Sequence, residues 1–232
     1  MLELSPEELT AVLLSLRIAL TATAVSLPIG IFAAYTLARW RFPGKTLLDG
    51  IIHLPLVLPP VVTGYMLLVL FGRRGVLGEF LADQLGIVFS FRWTGAALAC
   101  GVMGFPLMVR AIRLSIEAID RRLEDAAGTL GANAPWTFAL VTLPLALPGV
   151  LVGAILCFAK ALGEFGATIT FVSNIPGETR TISAAIFTYT QVPGGDANAW
   201  RLTAVAIAIA LAALVVSELV ARKASQRLAQ FE

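Results

Sequence analysis

Charged residues are scarce in this chain of 232 residues. Asp, Glu, Lys and Arg make up 14% of the sequence, whereas hydrophobic residues make up 58%. A soluble domain carries about 25% charged residues, and the mean hydropathy of +0.85 points the same way. The composition excludes an ordinary soluble domain. It predicts an all-α integral membrane protein that forms a single transmembrane domain over residues 1–232.

Histidine, cysteine and catalytic patterns are almost missing. His53 is the only histidine, so a histidine-rich metal site within one chain is excluded, and Cys100 and Cys157 lie in apolar runs typical of small core residues. Gly44-Lys45-Thr46 has the form of the end of a phosphate-binding loop, but position 39 is Arg where that loop requires glycine. We therefore predict that the chain is not an enzyme, holds no metal or cofactor, and does not hydrolyse ATP by itself.

Long apolar segments are what the sequence does contain. About 20 apolar residues cross a bilayer. Five segments meet this requirement, and they cover residues 9–38, 51–72, 93–114, 136–162 and 202–221. Pro55, Pro59 and Pro60 interrupt the second, so a distorted or discontinuous helix is expected there. A kink in a packing helix and a backbone that lines a water-filled path both remain open for this segment.

The connection from Gly163 to Arg201 contains two further apolar pieces, Phe165 to Val172 and Ile182 to Tyr189. Both are too short to span a bilayer. They are predicted to be interfacial or re-entrant helices, and they leave six spans as an alternative to five.

The distribution of Lys and Arg predicts the orientation of the chain. One side collects ten cations, namely Arg39, Arg41, Lys45, Arg110, Arg113, Arg121, Arg122, Arg222, Lys223 and Arg227. The other side collects five, namely Arg73, Arg74, Arg92, Arg180 and Arg201. Since the richer side is normally cytoplasmic, the N-terminus is expected outside and the C-terminus inside.

Ionisable residues within the spans are few and lie near the span ends: Arg17, Lys160, Glu164 and Glu218. Lys160 and Glu164 are one helical turn apart and are expected to pair, either as a structural ion pair or as a gate or docking contact. The sequence shows neither the repeats nor the mid-membrane charge of a secondary transporter. Energy for any transport is therefore expected to come from a partner.

A compact polar stretch runs from Asp120 to Pro144. Asp120 can cap a helix and Gly131 can end it, which predicts a short helix over about residues 121–131. Its apolar stripe consists of Leu123, Ala126, Ala127 and Leu130, and its other sides carry Arg121, Arg122, Glu124 and Asp125. A helix this short is marginal alone. It either packs on the chain's own spans or docks into a groove of another protein.

The same stretch resembles the cytoplasmic signature of ABC importer permeases, which is Glu-Ala-Ala, then Gly, then Ile-x-Leu-Pro. Here the matching residues are Asp125-Ala126-Ala127, Gly131 and Val141-Thr142-Leu143-Pro144. Asp125 departs from the usual Glu, and Glu124 beside it can share the role. Leu54 to Val62, Phe105 to Arg113 and Ala161 to Ala167 resemble the molybdate/sulfate branch, and Phe165 to Thr181 resembles the molybdate permeases in particular.

This resemblance implies a type I importer permease in a bacterial inner membrane. The implied partners are a second copy of the chain, two copies of an ATPase that binds ATP and Mg, a periplasmic molybdate-binding protein and membrane lipid, with no nucleic acid. Tungstate, sulfate or thiosulfate are alternative cargoes for the same machinery.

The resemblance also implies roles for individual residues. The implied coupling residues are Arg121, Arg122, Leu123, Glu124, Asp125, Ala126, Ala127, Leu130, Gly131, Leu143 and Pro144. Candidates for the pathway, a gate or the outer face are Pro59, Pro60, Lys160, Glu164, Thr168, Thr170, Ser173, Asn174 and Arg180.

Overall fold

The structure is a computed structural model that describes residues 4–228, with side chains described for residues 4–216, 218 and 219. All regular elements in this range are helical, which confirms the all-α prediction. The helices are α1 (Pro6–Arg39), α2 (Lys45–Val57), α3 (Pro60–Phe71), α4 (Val76–Leu85), α5 (Trp93–Glu117), α6 (Arg121–Thr129), α7 (Ala134–Thr137), α8 (Leu143–Leu162), α9 (Gly166–Val172), α10 (Ile182–Thr190) and α11 (Asp196–Leu228). A π-helical segment, Phe138–Thr142, joins α7 to α8. The side chains of Arg222, Lys223 and Arg227, which were assigned to the cytoplasmic side, lie outside the described side chains.

Four continuous helical stretches in the described range are long and apolar enough to cross a membrane. They are Pro6–Arg39, Trp93–Glu117, Ala134–Leu162 and Asp196–Val216. The pair α2 and α3 forms a fifth candidate that is bent by 115°. The bend has a local cause, because Leu58 and Pro59 each precede a proline and both adopt extended backbone, with ψ of 144° and 135°.

Two contacts along α1 show that α1 and α5 run in the same direction. The guanidinium of Arg17, in the first half of α1, lies 3.8 Å from the ring centre of Trp93, at the start of α5. At the C-terminal end of α1, Arg39 Nη2 donates to the Ile119 carbonyl, 3.2 Å away, just beyond the end of α5. We call these the Trp93 end and the Ile119 end of the bundle.

The bent pair passes from one end of the bundle to the other. Asp49 of α2 forms an ion pair with Arg113 near the Ile119 end, at 3.1 Å. Gly64 of α3 packs against Ala167 of α9, and α9 contacts α5 beside Trp93 through Val172. Since α2 starts at the Ile119 end and α3 packs at the Trp93 end, this placement fits one broken span.

Small residues allow the central spans to pack closely. A Cβ on Gly153 of α8 would lie 2.9 Å from the Met108 carbonyl oxygen of α5, and a Cβ on Gly149 would collide with Ser115. Cys100 and Cys157 are free and fully buried in this packing, as predicted. The core is therefore built mainly from α1, α5 and α8, with α11 and the shorter helices arranged around it.

Candidate coupling site

The short helix α6 forms where the polar stretch predicts it. The Asp120 carboxylate accepts from the Arg122 amide at 3.0 Å and caps the first turn. Leu130 is the C-terminal cap, and Gly131 follows with φ of +90°, a conformation that glycine adopts at little cost. The amide of Ala132 then donates back to the Ala127 carbonyl at 3.0 Å, which closes the helix end.

The apolar stripe of α6 is exposed. None of its residues is buried, and Leu123 is 49% exposed and Leu130 89% exposed. Ala126 is exposed as well, while Ala127 is partly covered. The two leucines are therefore not used to pack α6 on the spans of its own chain, so they are free to contact another molecule.

The charged residues of α6 divide into two groups. Arg121, Arg122 and Asp125 are exposed, and their side chains form no hydrogen bond or ion pair with any described residue. Glu124 points inward instead. One of its carboxylate oxygens lies 3.0 Å from Arg39 Nε, and the other accepts a 2.6 Å hydrogen bond from the Thr142 hydroxyl. Of the two adjacent carboxylates, Glu124 holds the helix and Asp125 faces out.

The ion pair of Glu124 is the centre of a junction between helices, here called the Arg39 junction (Arg39, Glu124, Thr142 and the Ile119 carbonyl). The side chains of Arg39 and Glu124 are only 8% and 16% exposed, and Thr142 is fully buried. Arg39 ends α1, Ile119 follows α5, and Thr142 ends the π segment before α8. Four elements thus meet at one set of polar contacts.

A ring contact supports the junction on the same face of α1. Tyr35, one turn before Arg39, packs edge-on against Phe138 with ring centres 4.9 Å apart. Phe138 begins the π segment that Thr142 ends. Pro144 follows, and it cannot donate to the carbonyl four residues earlier, which accounts for a wider turn just before it. Leu143 and Pro144 open α8, as the signature implies.

Lys160 and Glu164 form the expected ion pair at the other end of α8. Lys160 Nζ lies 2.8 Å from a Glu164 oxygen, and the second oxygen accepts from the Ala167 amide at 2.9 Å. The Glu164 side chain is 1% exposed and that of Lys160 is 30% exposed. Glu164 therefore also caps the first turn of α9. The gate and docking alternatives stay open.

The remaining pathway candidates lie around α3 and α9. Pro59 and Pro60 are exposed at the bend, where Gly166 packs against Pro60. Thr168 is buried, and the hydroxyls of Thr168 and Thr170 donate to carbonyls of their own helix at 2.9 Å. The threonine hydroxyls are thus already satisfied by α9.

The loop after α9 collects the other three candidates. Ser173 is exposed and has φ of +66°. Asn174 donates to the Thr188 hydroxyl at 2.8 Å and accepts from Arg180 Nε at 3.0 Å. The structure thus brings Asn174 and Arg180 together with α10, at the Trp93 end of the bundle.

Sequence reasoning missed several residues that the structure places in buried polar contacts. Arg39 and Thr142 complete the Arg39 junction, and Glu8 at the start of α1 accepts from Arg201 Nη2 of α11 at 2.8 Å. Arg39 was noted only as one of the ten cations of the basic side and as the residue that rules out a phosphate-binding loop. Thr142 occupies the x position of Ile-x-Leu-Pro, where the signature specifies no residue type. Its place within the signature was the one sequence feature that pointed to it.

The chain is similar in sequence to known transport proteins. Residues 26–229 match the family described as "Binding-protein-dependent transport system inner membrane component". The molybdenum transport system permease protein ModB of Escherichia coli K12 is 58% identical, over 97% of this chain and 98% of the relative. The sulfate transport system permease protein CysT of Salmonella typhimurium is 37% identical, over 81% and 67%.

A solved structure shares the fold. It is a bacterial alginate ABC transporter in complex with an alginate pentasaccharide-bound periplasmic protein, with a TM-score of 0.71 and 20% identity over 97% of this chain and 80% of the other. The family match covers most of the chain, and the helical architecture agrees with it. This chain therefore belongs to the family of inner membrane components of binding-protein-dependent transport systems.

Proposed function

We propose that this chain is the membrane-spanning subunit of an ATP-driven molybdate importer. The family to which the chain belongs indicates a binding-protein-dependent transporter. The cargo follows from the identity to the molybdenum permease of E. coli, which is higher and covers more of both chains than the match to the sulfate permease. Tungstate has nearly the size and charge of molybdate and remains an alternative cargo for the same machine.

The observation that carries the proposal is the exposed stripe of α6. A short helix stands at one end of the bundle with Leu123 and Leu130 exposed and with Asp125, Arg121 and Arg122 unpaired beside them. Apolar anchors surrounded by charges fit helix-in-groove recognition. The proposed partner is an ATPase subunit, which binds the ATP and Mg that drive transport.

The transport pathway forms between two copies of the chain. Five spans make a poor closed channel, and one cavity of about 530 Å³ between α1, α2 and α5 is lined almost wholly by apolar side chains. The lining contains three hydroxyl side chains, Thr21, Ser26 and Thr94, and no charged side chain, so it offers little to a divalent oxyanion. Two copies, each with its own α6, also provide two docking points for two ATPase subunits.

The Ile119 end faces the cytoplasm and the Trp93 end faces the periplasm. Arg39, Arg113, Arg121 and Arg122 lie at the Ile119 end, in keeping with the excess of Lys and Arg on cytoplasmic sides. A periplasmic binding protein delivers the oxyanion to the Trp93 end. The structurally similar alginate transporter was solved with such a protein.

The ATPase drives the transporter by binding its two conformations with different affinity. ATP binding closes the ATPase pair, draws the two α6 helices together and turns the pathway outward, and hydrolysis resets it. The pathway itself must admit the anion without holding it. Selectivity therefore lies mainly in the binding protein.

Uptake into proteoliposomes tests the cargo. The complex of this chain with its ATPase and binding protein is expected to accumulate labelled molybdate in an ATP-dependent manner. A large excess of sulfate is expected to leave the rate nearly unchanged, while tungstate competes. Strong competition by sulfate would refute the molybdate assignment and leave the ATP-driven machine in place.

A further inference from the structure

The two neighbouring carboxylates of α6 have opposite surroundings. Asp125 is exposed and unpaired among the described residues, whereas Glu124 is mostly buried and holds two donors. A buried carboxylate is tolerated only when it is paired and hydrogen-bonded. Its partners come from distant parts of the chain, since Arg39 lies 85 residues before Glu124 and Thr142 lies 18 residues after it.

The Arg39 junction is also the main attachment of α6 to the spans. No apolar residue of α6 is buried, so the helix has no apolar core of its own. Glu124 connects it directly to α1 through Arg39 and to α8 through Thr142. A displacement of α6 must therefore either move the ends of α1 and α8 with it or break a buried ion pair.

Arg39 extends the connection to a third span. Its Nη2 donates to the Ile119 carbonyl at 3.2 Å while its Nε faces Glu124, so the planar guanidinium joins α6 to the end of α5. The contacts of Glu124 thus reach all three helices of the core.

We propose that Glu124 is a positioning residue that transmits the movement of α6 to α1, α5 and α8 through Arg39 and Thr142. Asp125 and the exposed leucines bind the ATPase, while Glu124 passes the displacement on. This inference rests on the proposed function, because it requires an ATPase that moves α6. It assigns separate tasks to two adjacent carboxylates: one for docking and one for transmission.

The test measures how many ATP molecules are hydrolysed for each molybdate transported. The complex with ATPase and molybdate-loaded binding protein is reconstituted in proteoliposomes. In Glu124→Gln the α6 surface is unchanged, so the ATPase still co-purifies, but the ratio of ATP to molybdate rises about fivefold or more, the lower range of typical coupling between sites. Thr142→Val removes one hydrogen bond and raises the ratio less, and Thr142→Ser, which keeps the hydroxyl, restores it.

Glu117→Gln is the matched control. Glu117 also pairs with an arginine, Arg113 at 2.8 Å, at the same end of the bundle, but its side chain is 38% exposed and the pair does not contact α6. The same chemical change there is expected to leave the ratio at the wild-type value.

Three other outcomes of these experiments would contradict the inference or the proposed function. A wild-type ratio in assembled Glu124→Gln complex, with only a lower unfolding temperature, makes Glu124 a stabilising residue and overturns the inference. If Glu124→Gln does not yield folded protein, Thr142→Val decides, and a wild-type ratio there overturns the inference as well. Intact ATPase binding after Leu130→Asp instead refutes docking at α6, and with it the proposed function of that helix.

Discussion

The two ends of the bundle are each held by buried carboxylates, but they differ in what surrounds those groups. At the Trp93 end, Glu8 joins α1 to α11 and Glu164 caps α9, in the midst of packed helices with buried Phe171, Val172 and Leu202. At the Ile119 end, the largely buried Glu124 attaches a helix that buries none of its own apolar residues. Both ends have a packed apolar core, but at the Ile119 end polar contacts attach an exposed helix to that core.

The difference shows what a helix that docks a moving partner requires. Apolar packing resists displacement because close-packed interiors transmit strain and deform little. A helix held mainly by one buried ion pair keeps its apolar surface for a partner and remains connected to three spans. The following substitutions test this contrast.

Adding one methyl group is expected to have opposite effects at the two ends. A Cβ at Gly64 would lie 2.5 Å from the Ala167 carbonyl oxygen and 2.8 Å from its Cα, and backbone cannot move aside cheaply. Gly64→Ala should lower the free energy of unfolding by about 3 kcal/mol. Gly128 in α6 has nothing within 4 Å, so Gly128→Ala should raise it by about 0.5–1 kcal/mol. Thermal unfolding of the purified permease in detergent checks both, and equal stability of the two variants contradicts the contrast.

Leu130→Asp should abolish most ATPase binding without loss of fold. The side chain is 89% exposed in the isolated chain, so its replacement leaves the core intact. Loss of a central apolar anchor typically costs about 2 kcal/mol of binding, or about thirtyfold in affinity. A titration of detergent-solubilised permease with ATPase measures this.

Val192→Asp provides the control for Leu130→Asp. Val192 is 52% exposed and follows α10 at the Trp93 end. ATPase affinity is expected to be unchanged in this variant. Equal weakening by both substitutions would show that any added charge disturbs assembly.

Lys160→Met should lower the stability of the protein and leave its transport activity unchanged. It leaves the Glu164 carboxylate without the cation 2.8 Å away, although water can partly replace a lysine that is 30% exposed. We expect a loss of about 1–2 kcal/mol in the free energy of unfolding, with uptake per folded complex unchanged. The double variant Lys160→Met/Glu164→Gln should regain part of the stability. A large fall in uptake per folded complex would support the gate alternative.

Substitutions at Gly131 should have a small effect on folding. Its φ of +90° disfavours a side chain, but nothing lies within 4 Å, so Gly131→Ala should cost about 1 kcal/mol and Gly131→Asn less. Gly131→Trp places a bulky group beside the docking surface and should reduce ATPase binding or coupling while the membrane fold stays intact. Normal uptake and assembly in Gly131→Trp would argue against docking at this helix end.

Local signals made α6 and the broken span predictable from the sequence. Asp120 and Gly131 specify the start and end of the helix through contacts within a few residues, and Pro59 and Pro60 specify the break between α2 and α3. Lys160 and Glu164 were paired correctly because they are one turn apart. Each of these features depends on near neighbours in the chain.

Contacts between distant residues were not predictable in this way. Glu8 and Arg201 are 193 residues apart, and Arg39 and Glu124 are 85 apart, so no spacing rule connects them. The sequence indicated only that Glu124 or Asp125 matters. Which carboxylate turns inward depends on where α1 ends relative to α6, and that is set by packing of the spans.

The most direct test of the central claim is ATP hydrolysis by the complete complex in proteoliposomes, with and without molybdate-loaded binding protein at the outer face. The account predicts that loaded binding protein stimulates hydrolysis, that sulfate does not replace molybdate in this effect, and that Leu130→Asp abolishes the stimulation. Hydrolysis that is indifferent to the loaded binding protein, or equally stimulated in Leu130→Asp, would contradict it.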